Sequence, residues 1–270
     1  MEKLYCEPLH GLGNRLMFML SALRLSIKFK RKLVFVWSPD KNIDCNFDDL
    51  FSNFEFQTFT PNLPVEESIA NHRYVVDLDN KRDIYLKGFH FIFTPNDFYL
   101  SKEDITLEHI KCWNKILFSN SIQSLKSTNY YDMGIHIRRS SILDTTDWGK
   151  PTSDIILNGI MNTIQSKESK IKDIYISSNN PAELNYMKEI LSKDFHIFSS
   201  NSTTFSNDLD SIKSSFSDFF SLINCEYIFR RDISTFSALP SMLNASEEYL
   251  YTEDSKLITR KPLILSGFAL

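Results

Sequence analysis

The stretch Lys3-Leu4-Tyr5-Cys6-Glu7-Pro8-Leu9-His10-Gly11-Leu12-Gly13-Asn14-Arg15-Leu16 decides the fold. Lys3 to Cys6 reads as a strand, and Pro8 to Gly13 as a turn with two glycines. From Asn14 the apolar residues fall at Leu16, Met19, Leu20, Leu23 and Ile27, one stripe of a helix. Leu33-Val34-Phe35-Val36-Trp37 is then a continuous apolar run, as a strand covered on both faces would be. Strand, helix and strand in this order make a βαβ unit, whose crossover is expected to be right-handed.

Residues 38–80 are irregular and rich in Asn, Asp, Phe and Pro. Short strands are expected at Tyr74-Val75-Val76 and Ile84-Tyr85-Leu86, and a helix over 101–126. A second alternating series begins near residue 131. Its expected strands are Met133 to Ile137, Ile174 to Ile176, Phe195 to Phe198 and Tyr227 to Phe229. Between and after them, helices are expected at Ser153 to Ile164, Pro181 to Leu191, Asp208 to Ile223 and Ser234 to Leu243, the second with proline in its first turn. Such alternation means a parallel sheet with helices on both faces. The chain of 270 residues is long enough for two α/β halves. An N-terminal domain over 1–128 and a C-terminal domain over 129–270 are expected, with the C-terminal segment free to pack back on the first.

The net charge of -4 speaks against a nonspecific nucleic-acid binder, which would be basic, but leaves a nucleotide ligand open. Cys6, Cys45, Cys112 and Cys225 form no CxxC pair, so neither a zinc finger nor a thioredoxin-like motif is expected. No segment reads as a secretion signal, so the cysteines are expected reduced in a cytoplasmic protein. No run of about 18 apolar residues marks a membrane span. Lys28, Lys30, Arg31 and Lys32 form a small basic cluster, read as a solvated helix end, which leaves peripheral attachment at the inner membrane face open.

Three segments carry candidate chemistry. In Gly11-Leu12-Gly13-Asn14-Arg15-Leu16, glycines let backbone pass close to a ligand and the following helix aims its amides at an anion. The plainer reading is a tight turn with Asn14 as N-cap. The strand at 133–137 runs into His136-Ile137-Arg138-Arg139-Ser140-Ser141. Ligands of open α/β sheets bind beyond the carboxyl ends of strands, and the arginine fork matches phosphate oxygens. Alternation places His136 and Arg138 on one face and Arg139 on the other. A surface ion-pairing role for the arginines is the alternative. The third segment, Arg230-Arg231-Asp232-Ile233-Ser234-Thr235-Phe236-Ser237, opens a helix whose hydroxyls and amides suit a phosphate, or simply cap it with Phe236 in the core.

In this order, Gly11 to Leu16, His136 to Arg139 and Ser234 to Ser237 resemble the three signature segments of the fucosyltransferase superfamily. That superfamily takes in alpha-1,2- and alpha-1,6-fucosyltransferases, protein O-fucosyltransferases and nodulation-type bacterial enzymes. The likeness spans roughly residues 3–245 and is sharp only in these segments. It implies a GT-B fold, two facing Rossmann-like domains with the active-site cleft between them. It also implies GDP-fucose as donor, inversion at the anomeric carbon, no cofactor and no metal. By the same resemblance Arg138 pairs with the diphosphate and stabilises the leaving GDP, and Asn14 faces the reaction centre from the other domain. Gly11, Gly13, His136, Arg139, Ser234, Thr235 and Phe236 fall among the donor-binding positions. Ser177, Asn179 and Asp218 match nucleotide-side positions. Two departures stand out. Ser140-Ser141 replaces an acidic residue, with Asp144 and Asp147 further on, and Ser177-Ser178-Asn179-Asn180 lacks the Thr-Asp pair of relatives.

The expected partners are therefore a nucleotide sugar and a glycan acceptor, without nucleic acid. The acceptor is expected in bacterial surface polysaccharide or lipopolysaccharide synthesis, with a lipid-linked form as a route to peripheral membrane association. Glu7, His10 and Asp44 are the candidates for a base towards the acceptor hydroxyl. Transfer of a different sugar on the same scaffold and a noncatalytic sugar-nucleotide or glycan-binding protein are the alternatives.

Overall fold

The computed structural model describes residues 1–63, 65–67, 74–75, 78, 82–89, 91–94, 97, 99–138, 153–167, 171–200, 207–231, 234–244, 246–251 and 257–260. The first part of the chain carries β1 (Lys3–Pro8), α1 (Leu12–Lys28), β2 (Lys32–Val36), α2 (Phe47–Leu50), β3 (Glu55–Gln57) and β4 (Val65–Glu67). β5 (Tyr74–Val75), β6 (Ile84–Gly88), β7 (Ile92–Phe93), α3 (Lys102–Trp113) and α4 (Asn120–Gln123) follow. The rest carries β8 (Tyr131–Ile137), α5 (Ser153–Ser166), β9 (Asp173–Ser178), α6 (Pro181–Leu191), β10 (His196–Phe198) and α7 (Leu209–Ile223). It ends with β11 (Cys225–Arg231), α8 (Thr235–Asn244), β12 (Glu247–Tyr251) and β13 (Leu257–Arg260).

The chain divides into two compact units, Met1–Ser124 with Asn207–Lys213, and Leu125–Ser206 with Ser214–Pro262. In the first, five parallel strands run in the order β3-β2-β1-β6-β4, and β5 pairs with β7. In the second, the order is β10-β9-β8-β11-β12-β13, parallel except for the antiparallel β12–β13 pair.

α1 differs from the sequence expectation in two ways. It begins at Leu12, with Gly11 as N-cap, so Asn14 lies inside the first turn and caps nothing. The Arg15 side chain reaches back to the His10 carbonyl at 2.8 Å, which fixes the turn without a side-chain cap. The helix is also buried nearly all round rather than along one stripe, and Ile27 at the end of the expected stripe is exposed. Its buried Arg24 is satisfied by Asp97 and by Glu108 at 2.6 Å, partners far off in sequence. The helix expected over 101–126 breaks after Trp113, and Phe118 turns in to form a bridge with Phe51 and pack its ring against it at a tilt. All four cysteines are buried free thiols.

In the second unit Ile174 and Ile176 face one core with α5 and α6, while Tyr175 between them faces the other with Leu222 and Ile228. Side-chain alternation thus covers both faces of the sheet, as a parallel sheet requires. Gly134 is where β8 and the end of α7 press together. A Cβ there would lie 2.7 Å from Cys225 Sγ and 2.9 Å from Leu222 Cδ2. Gly134→Val is expected to destabilise the protein by roughly 1–3 kcal/mol through overpacking, read as a lowered urea midpoint.

Candidate active site

In the second unit the chain leaves β8 towards β9 and β10, then returns to place β11 on the other side of β8. The carboxyl ends of β8 and β11 therefore flank the topological switch point, where open parallel sheets bind ligands. Arg138 follows β8 there, and Arg231 ends β11 beside it, one step beyond the register pair His136–Arg230. The Arg138 amide donates to the Tyr251 hydroxyl at 3.2 Å, and Tyr251 pairs in register with Arg231.

Among the described residues no carboxylate pairs with Arg138, whose side chain keeps an exposed face. Crowding by the surrounding protein and then the charge of Arg231 lower its guanidinium pKa. An exposed guanidinium with a second, buried cation beside it at a switch point attracts an anion.

His136 lies one layer deeper and is buried. Its Nδ1 is 2.8 Å from the Ser237 hydroxyl and 3.3 Å from the Ser234 hydroxyl, and its ring packs against Phe236 with centroids 5.2 Å apart. Burial, followed by the charges of Arg138 and Arg230, pushes its pKa down to about 3. His136 is thus neutral through the working range and joins β8 to the start of α8. Ser234 and Phe236 are held by it, and Thr235 begins the helix. Ser177 sits beside His136 in register, buried, and its Oγ has no partner among the described residues.

Asn179 follows β9, and Asn180 caps α6 through the Glu183 amide at 3.2 Å. Asp218 is placed lower, on α7. It accepts from the Tyr175 hydroxyl at 2.7 Å and from Ser200, and burial, outweighing those bonds, pushes its carboxyl up to about 6. Arg139, with Ser140, Ser141, Asp144 and Asp147, lies outside the described residues.

The other candidates belong to the first unit. Among the described residues nothing lies within 4 Å of a Cβ placed on Gly11. Gly13 is buried in α1, and Asn14 carries a buried side-chain oxygen with no partner among the described residues. Glu7 accepts from the Tyr85 hydroxyl and pairs with Lys87 at 2.9 Å, which weakens it as a base. His10 adopts φ 65° and packs edge-on against Phe89 at 4.3 Å. Asp44 is exposed and bridges to Asp208 through its backbone. Among the described residues no cluster of His, Cys, Asp and Glu is arranged to hold a metal, and no helix is long and apolar enough to cross a membrane.

Sequence reasoning passed over Tyr251, Glu248 and the buried Arg15, which stacks on Trp37 at 4.4 Å and pairs with Asp40 at 2.7 Å. Arg15 was visible as a charge inside an apolar helix stripe. Glu248 and Tyr251 had no local signal.

Two buried histidines, His136 and His109, have pKa values pushed down to about 3. The unfolded chain takes up these protons near pH 6.5, so stability is complete above that value and is lost as pH falls towards 3. Each is expected to remove about 1 kcal/mol per pH unit over that window. Urea unfolding between pH 7.5 and 5 checks this, with His136→Asn showing about half the native slope.

No family model matches the chain, and no curated protein matches it by sequence. Solved structures do. NodZ alpha-1,6-fucosyltransferase co-crystallised with GDP is 12% identical with a TM-score of 0.65, the match covering 97% of this chain and 99% of that one. A mutant of Arabidopsis thaliana FUT1 in complex with GDP is 11% identical with a TM-score of 0.59, covering 93% and 70%. POFUT1 in complex with GDP-fucose is 10% identical with a TM-score of 0.51, covering 91% and 94%. A likeness this long at such low identity is one of fold, and this chain has the two-sheet α/β GT-B fold of these fucosyltransferases.

Proposed function

We propose that this protein is an inverting, metal-independent glycosyltransferase that moves L-fucose from GDP-fucose to a hydroxyl of a glycan acceptor. The observation that carries the reading is Arg138, a cation without a carboxylate partner among the described residues, beside Arg231 at the switch point. Support comes from the shared fold, since NodZ was solved with GDP and soaked with GDP-fucose. Breaking the sugar–phosphate bond builds negative charge on the β-phosphate and oxocarbenium character on the sugar. In this reading Arg138 meets that charge, and the first amides and hydroxyls of α8, at Ser234 and Thr235, hold the phosphates. His136 keeps that turn in place. Asn14, whose side-chain oxygen has no partner among the described residues, would serve the reaction centre, and the open backbone at Gly11 would serve the donor. The acceptor is a bacterial surface glycan, which in lipid-linked form would bring the enzyme to the cytoplasmic membrane face.

One observation favours a second reading, another nucleotide sugar on the same fold. Asp218 is already occupied by Tyr175 and Ser200, so it has less capacity to read a base edge. Calorimetric titration with GDP, GDP-fucose, UDP and CMP, in EDTA, separates the two. Selective binding of GDP and GDP-fucose is the expected result. Preference for UDP or CMP would move the donor to another sugar nucleotide, and binding of none would remove the enzyme reading.

A further inference from the structure

Beneath the start of α8 lies a charged group that the donor site does not itself display. Arg230 and Glu248 form an ion pair with Nε to Oε1 2.8 Å apart, and their side chains are 2% and 3% exposed. They come from neighbouring parallel strands, β11 and β12. Ser241 on α8 donates to the same Glu248 oxygen at 2.6 Å. The other end of the guanidinium turns to backbone. Arg230 Nη1 donates to the Arg231 carbonyl at 2.9 Å and lies 3.5 Å from the Ser234 carbonyl.

Those two carbonyls bracket the connection between β11 and α8. The Ser234 amide also donates to the Arg231 carbonyl at 3.2 Å, and the Ser234 carbonyl accepts the first helical bond from Ala238 at 3.1 Å. One planar fork therefore joins β12, the end of β11 and the first turn of α8. On the other side, His136 joins β8 to the Ser234 and Ser237 hydroxyls. The start of α8 is held from both sides by buried polar groups.

A buried ion pair contributes little net stability, because desolvating both charges offsets their attraction, and apolar residues of similar volume often serve as well. What the pair does supply is direction, since an arginine fork fixes the angle and spacing of the carbonyls it meets. We infer that Arg230 and Glu248 are positioning residues that set the α8 N-terminus to receive the donor diphosphate. The inference rests on the proposed donor site, and it adds residues that touch no substrate.

The test uses the full chain and GDP as probe. Arg230→Lys keeps the charge opposite Glu248 but loses the fork that reaches two carbonyls. It is expected to retain a Tm within about 3 °C of the native protein while GDP binds about tenfold more weakly. Arg230→Met with Glu248→Leu, which removes both charges, is expected to fold with similar stability and to show the same weakening. In turnover the effect should appear in KM for the donor more than in kcat. Native-like GDP affinity in a folded Arg230→Lys protein would overturn the inference, whatever becomes of the double variant. So would a loss of Tm with GDP affinity unchanged, which marks a merely structural pair. Failure of the native protein to bind GDP would overturn the donor-site reading first and this inference with it.

Discussion

Replacing Arg138 with alanine is expected, if the proposed function holds, to lower kcat for fucosyl transfer by about 100- to 1,000-fold, the usual cost of losing one preorganised donor to developing negative charge. Its side chain is exposed at the end of β8 and pairs with no carboxylate among the described residues, so folding does not depend on it. The Tm of Arg138→Ala should therefore match that of the native protein. The nearby charge of Arg231, already one cause of Arg138's lowered pKa, even makes its removal a relief in the unliganded state. That relief distinguishes a site built for an anion from a structural salt bridge, where truncation strands a partner. Arg138→Lys should recover only part of the rate, because an ammonium returns the charge without the bidentate fork. The measurement is initial rate at saturating GDP-fucose, with Tm recorded beside it. A kcat within about threefold of native would remove Arg138 from the leaving-group role.

The parts of this site that were legible in the sequence are those written in local pattern. β8 is a largely apolar run followed by Arg138, and β11 one that ends in Arg230 and Arg231; the runs give the strands while the abrupt charges mark their carboxyl ends. Pro181 after Asn180 marked the start of α6, where asparagine caps and proline takes the first turn. What depends on distant partners was not legible. His136 shares a face with Arg138 by alternation, yet it is buried under Ser234 and Ser237, residues about 100 positions away by sequence separations of 98 and 101. Glu248 meets Arg230 across 18 residues, and the acidic pair Glu247-Glu248 hides the start of β12, a strand the pattern did not reveal. The turn before α1 fails for a related reason. Asn14 has the right chemistry for a cap, but Arg15 reaching back to His10 starts the helix at Leu12.

The same dependence on distant partners makes Asp97 a position where a single substitution should cost much stability. Its carboxylate, 1% exposed, pairs with Arg24, accepts from Lys28 at 3.0 Å and from the Thr94 amide at 2.7 Å. Removing it leaves Arg24 buried in α1 with Glu108 on α3, itself 38% exposed, as its one remaining carboxylate among the described residues. Stranding a buried charge in this way costs about 3–5 kcal/mol, so Asp97→Ala is expected to lose that much in urea unfolding at pH 7. Burial alone would raise the Asp97 pKa, but Arg24, the Thr94 amide and Lys28 together hold it below its ordinary value of 3.8. The charge therefore contributes fully above the unfolded value and is lost as pH falls through the lower, folded one. That window lies below about pH 4, beneath the point where the buried histidines begin to weaken the fold. The gap between native and Asp97→Ala should accordingly stay constant from pH 7 to 5 and narrow only below about pH 4. Asp97→Asn keeps an acceptor for the Thr94 amide while losing the charge, and should fall between the two at pH 7. A gap that keeps its full size at the lowest pH where the protein still folds would trace the loss to the missing atoms rather than to the charge, and Arg24 would then need no carboxylate at this position.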